Sequence, residues 1–74
     1  MKKLVKIQET VDNRGTQEVY DTPEKIINLL DEMKDEQWSD DFTFIMEDGD
    51  IMFIDDILHH TVQVGEQLVP VLGE

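Results

Sequence analysis

The chain has 74 residues, 18 of them Asp or Glu against 6 Lys or Arg, so its formal net charge is -12, and it contains no cysteine. A chain of this length forms one domain whose single core rarely supplies more than about 3 to 5 kcal/mol, and it has no room for a large enzyme scaffold. The charge argues against direct binding to nucleic acid or anionic lipid, and the absence of thiols excludes disulfides, thiolate metal ligands and a cysteine nucleophile.

Residues 3 to 11 alternate, with Val5, Ile7 and Val11 on one side and Lys6, Gln8 and Thr10 on the other, the period of a half-buried strand. Asp12-Asn13-Arg14-Gly15 then reads as a turn in which Gly15 supplies a positive φ, and Thr16 to Tyr20 returns as the second strand of a hairpin. Thr22 is placed to cap a helix that starts at Pro23, where a missing N–H costs nothing and the fixed φ suits the first turn. Ile26, Ile27, Leu29, Leu30 and Met33 form its apolar stripe, which carries the helix to about Glu36, with Trp38 folding back under its end.

Phe42 to Glu47, Asp48-Gly49, and Asp50 to Asp55 predict a hairpin with a two-residue loop. In that register Phe44 faces Phe53 and Met46 faces Ile51, whereas Ile45 meets Met52 and Thr43 meets Ile54 on the opposite side. Asp55 to His60 reads equally as continued strand or helical turn. Thr61 to Val64, Gly65-Glu66 and Gln67 to Val71 predict a short last hairpin, with Pro70 confined to an edge or an end. The order ββαββ plus this hairpin describes a single α+β domain over residues 1–74, a small antiparallel sheet with one helix packed on one face. One helix covers one face. Ile45, Met52 and Ile54 therefore mark the second face as a candidate assembly surface unless the C-terminal segment folds over it.

Charge is distributed unevenly, since residues 1–34 hold 7 acids and all 6 bases while residues 35–74 hold 11 acids and no base. On the predicted helix Asp31 with Asp35 and Glu32 with Glu36 are like-charge pairs at i, i+4, and acids at a helix C-terminus oppose its dipole. Asp40 and Asp41 follow, and a two-residue turn sets Glu47 opposite Asp50 beside Asp48, again like against like. Local rules broken repeatedly in one direction point to a function. Helical neighbours about 5 to 6 Å apart and alternate strand residues roughly 6.6 to 7 Å apart are of the order of phosphate spacing along a nucleic-acid strand. These nine acids are accordingly the candidate face of a nucleic-acid mimic that inhibits a basic protein. In composition the chain resembles small phage-encoded inhibitors of defence and repair enzymes, a likeness carried by no family motif.

Other chemistry is thinner. Glu47, Asp48 and Asp50 with Asp55 and Asp56 gather carboxylates, but their spacing fits no EF-hand loop, and no metal or other cofactor is assigned. His59 and His60 diverge on either a strand or a helix and so do not chelate one ion together. Asp56 and His60 meet only across a helical turn and lack a nucleophile or a third zinc ligand. The expectation is a non-enzymatic, cytoplasmic, acidic protein-binding module whose partner has a basic surface, with no membrane attachment. The alternative is a small self-associating accessory protein of phage or bacterial type in which the acids serve solubility.

Overall fold

The computed structural model describes residues 2–74. Strands β1 (Leu4–Thr10) and β2 (Gln17–Tyr20) are joined by the expected turn. Asp12 organises it, its Oδ1 accepting from the N–H groups of Arg14 at 2.8 Å and Thr16 at 3.1 Å, while Gly15 takes a φ of +80°. These bonds, that from the Thr16 N–H foremost, favour the ionised carboxylate and hold Asp12 below its ordinary range.

Helix α1 (Pro23–Glu32) begins as expected, with Thr22 Oγ1 accepting from the Lys25 N–H at 3.3 Å and Pro23 in the first turn. It buries Ile26, Leu29 and Leu30. The α-helix stops short of Glu36, because Met33–Asp35 winds as one 3₁₀ turn and Glu36 is extended. The early stop has an electrostatic reason. Continued α-helix would stack Asp31 over Asp35 and Glu32 over Glu36 at the negative end of the dipole, and Lys34 Nζ, in the 3₁₀ turn, lies 2.9 Å from Asp31 Oδ1.

Strands β3 (Phe42–Met46) and β4 (Ile51–Phe53) form the central hairpin, but with three loop residues in place of two. Thr43 pairs with Phe53, Phe44 with Met52 and Ile45 with Ile51, one residue away from the expected register. A two-residue Asp-Gly turn of type I′ needs positive φ at both positions and would set Glu47 against Asp50. The loop Glu47-Asp48-Gly49 needs it only at Gly49, where φ is +89°, and lets Asp48 Oδ1 accept from the Asp50 N–H at 3.1 Å. A one-residue slip turns each β4 side chain to the other face. The candidate assembly set is thereby corrected. Ile45 stays on the outer face, but Met52 turns to the core face and Ile54 is buried, while Ile51 and Phe53 stand outward at 59% and 55% exposure.

The segment after β4 is a helical turn, α2 (Ile54–Ile57), with Asp56 Oδ2 accepting from the Phe53 N–H at 3.4 Å. His59 then takes a φ of +70° in a tight turn closed by the His60 N–H on the Ile57 carbonyl at 3.0 Å. Strands β5 (Thr61–Val64) and β6 (Gln67–Pro70) pair as a separate hairpin across Gly65-Glu66, with Gly65 at +59°. The tail is tied down. Val71 exchanges hydrogen bonds with His59 and His60, the Leu72 carbonyl accepts from Trp38 Nε1 at 2.8 Å, and the Glu74 N–H donates to the Glu36 carbonyl at 2.9 Å.

The larger sheet runs β2-β1-β3-β4, antiparallel throughout, with β5-β6 apart from it. Helix and C-terminal hairpin share one side of it. Leu4, Ile7, Phe42, Phe44 and Met46 from the sheet, the α1 stripe, and Val62, Val64 and Val71 form a single buried cluster. Trp38 closes one end, edge-on to Phe42 with ring centroids 4.7 Å apart. On the other side, the rows Val19-Gln8-Thr43-Phe53 and Lys6-Ile45-Ile51 run across the strands with no element laid over them among the described residues.

Candidate functional site

The nine acids of the candidate face are all exposed, but the fold separates them into two groups. Asp31 and Glu32 end α1, Asp35 and Glu36 occupy the 3₁₀ turn and its exit, and Asp40 and Asp41 lead into β3. Glu47, Asp48 and Asp50 lie at the far end of that strand. Six residue steps of roughly 3.3 Å put about 20 Å between Asp41 and Glu47 along β3, a large part of a molecule whose longest dimension is 34 Å. One continuous array of nine is not formed.

The two groups also differ in neutralisation. At the hairpin, Lys2 Nζ lies 3.0 Å from Asp48 Oδ2 and also pairs with Asp50, while the Lys3 N–H reaches Glu47 Oε1 at 3.4 Å. Hydrogen bonding to Lys2 foremost holds Asp48 below the ordinary carboxylate range, and the same contacts, with Asp50 first, raise Lys2. At the helix end, Lys34 on Asp31 is the one ion pair among the described residues. The bond to Asp31 raises the Lys34 ammonium. Glu32, Asp35, Glu36, Asp40 and Asp41 face solvent without a cationic side chain in contact.

A third acidic grouping, not foreseen from composition, surrounds Tyr20. The β1–β2 register sets Glu9 opposite Glu18, and the Tyr20 hydroxyl donates to Glu18 Oε2 at 3.0 Å and lies 3.4 Å from Glu9 Oε1. Tyr20, Glu18, Lys25, Asn28 and Glu32 line an open groove of about 490 Å³ between β2 and α1. Partial burial and then the Glu18 carboxylate push the phenol up to about 12. The sign follows from which state loses the proton first. Below pH 10 both folded and unfolded chains keep it; between pH 10 and about 12 the unfolded chain loses it while the folded chain does not, so the stabilising contribution is lost as pH rises through that window. Tyr20 is the only tyrosine, so tyrosinate absorbance should show one transition near pH 12. Stability measured in urea should fall between pH 10 and 12 more steeply in the wild type than in Tyr20→Phe. A phenol titrating at its free value, or parallel curves for the two proteins, would contradict the placement.

The helical turn α2 brings Asp56 and His60 to one groove of about 300 Å³ that Lys2, Asp50 and Met52 also line. They line the same groove without a mutual hydrogen bond, and Asp56 Oδ2 accepts from the Phe53 N–H. His59 is set apart in its own left-handed conformation. No three His, Asp or Glu side chains converge to hold a metal ion among the described residues, and none of their helices is long and apolar enough to cross a membrane. Comparison of the chain with protein-family models, with curated proteins and with solved structures finds no match.

Proposed function

We propose that this chain is a non-enzymatic acidic protein-binding module of the cytoplasm that occupies a basic groove on its partner, acting as an inhibitor by presenting carboxylates where nucleic-acid phosphates would sit. The observation that carries the reading is the stretch from Asp31 to Asp41. It displays six exposed carboxylates within eleven consecutive residues, with Lys34 as its single cation. A surface of that kind raises the encounter rate with a basic groove and discriminates against acidic partners. The hairpin acids contribute less, because Lys2 already offsets Asp48 and Asp50.

The test is capture from a cell lysate at low salt on immobilised protein, release at high salt, and displacement of duplex DNA from each released protein. The wild type should retain nucleic-acid-binding proteins and compete with DNA for them. A variant with Asp35→Asn, Glu36→Gln, Asp40→Asn and Asp41→Asn should retain at least tenfold less, and one with Glu47→Gln and Asp48→Asn should lose far less. Equal retention by the helix-end variant, or binding indifferent to salt, would overturn the reading, because exposed charges are screened beyond about 10 Å at 0.1 M salt.

A further inference from the structure

The outer face of the four-stranded sheet combines two properties. Ile51 and Phe53 on β4 and Val19 on β2 stand at 59%, 55% and 40% exposure, with Ile45 half-buried on the strand between them. In addition, none of the side chains that the strands turn to this face is a carboxylate, although 18 of the 74 residues are acidic. The strand acids Glu9 and Glu18 point to the other side, where they meet Tyr20. Lys6 is the one charge among the outward strand side chains.

We propose that this face is an isologous interface with a second copy of the chain, centred on Ile45, Ile51 and Phe53. Charge selects the occupant. A basic protein drawn by the acids finds no carboxylate here and meets Lys6, and nucleic acid is repelled by a chain at -12. Two copies each carrying -12 repel wherever their acidic surfaces approach, so a face whose strands present no carboxylate lets them meet at low electrostatic cost. A two-fold axis through it sets the β3–β4 apolar corner of one copy on that of the other. Edge-to-edge pairing through β4 is a poor route, since that strand spans three residues, its Phe53 N–H is taken by Asp56, and α2 follows at once. In plan the patch is on the order of 300 Å², below the ~800 Å² per partner of a standard interface, so the dimer is a weak one.

Salt distinguishes this inference from the acidic-face reading, on which it does not depend. Binding of a basic partner weakens as salt rises, whereas a dimer of like-charged copies strengthens because their repulsion is screened. Sedimentation equilibrium from about 10 μM to 1 mM, at roughly 20 mM and 500 mM NaCl, should show a dimer whose dissociation constant falls several-fold at the higher salt. Phe53→Glu places a carboxylate on the face and should raise that constant at least tenfold with an unchanged circular dichroism spectrum. Amide shifts of the wild type on dilution, which require no variant to fold, should move at Val19, Ile45, Ile51 and Phe53. A chain monomeric at 1 mM in high salt, a dimer that salt dissociates, a Phe53→Glu protein that associates like the wild type, or dilution shifts confined to the helix end would overturn the proposal.

Discussion

Phe44→Ala is expected to leave the chain largely unfolded at 25 °C, while Phe53→Ala changes stability by less than about 0.5 kcal/mol. Phe44 is fully buried on a strand flanked by β1 and β4, opposite Ile7 and Met52, with the Trp38 ring centroid 5.3 Å away. Truncating a buried Phe costs about 3 to 5 kcal/mol, the same size as the whole stability expected of so small a core. Phe53, in the same hairpin, is 55% exposed and leaves no cavity when cut. The pair also tests the register. With a two-residue turn the two rings would face each other and both substitutions would be severe; with the three-residue loop the effects split. Urea unfolding followed by circular dichroism measures it, and two losses of similar size would refute the observed pairing.

Gly73→Ala is the second large effect. A Cβ at this position would overlap Trp38 Cδ1 and lie 2.8 Å from its Nε1, so close that something must move. The tryptophan has little room to give, because it packs edge-on against Phe42 and donates to the Leu72 carbonyl. Overpacking of this kind costs about 1 to 3 kcal/mol, and displacement of the tail weakens that hydrogen bond and the neighbouring Glu74 to Glu36 link as well. For a domain of this size the expected fall in Tm is on the order of 10 °C. Trp38 is the only tryptophan, so its fluorescence reports the site directly, and a shift toward solvent-exposed emission should accompany the fall. An unchanged Tm and spectrum would show that the tail does not seal the indole.

The first turn and the helix start were legible because each depends on residues adjacent in the chain. Asp12 and Gly15 close the first hairpin as their types imply, and a four-residue turn there already implies that Glu9 opposes Glu18. The acidic setting of Tyr20 was thus available from register alone. Thr22 with Pro23 marks the helix start through a local capping bond. The central hairpin misled because Asp-Gly serves two loop lengths, and the choice rested on conformational demand at Asp48, on repulsion between Glu47 and Asp50, and on a lysine more than forty residues away. The helix end misled similarly, since apolar spacing continues to Met33 while the charges favour a tighter turn.

The sequence by itself determined the elements, their order as an α+β domain and the concentration of acid after Lys34, all consequences of neighbouring residues acting through turn chemistry, capping and periodicity. Only the tertiary structure decided that α1 and the C-terminal hairpin share one side of the sheet, because that depends on Val62, Val64 and Val71 meeting residues from the other end of the chain. It alone parted the acids into two ends, because β3 runs between them as a strand. It also chose which apolar residues face outward, because in a strand a shift of one position exchanges the faces: Ile51 and Phe53 are exposed where Met52 and Ile54 were expected.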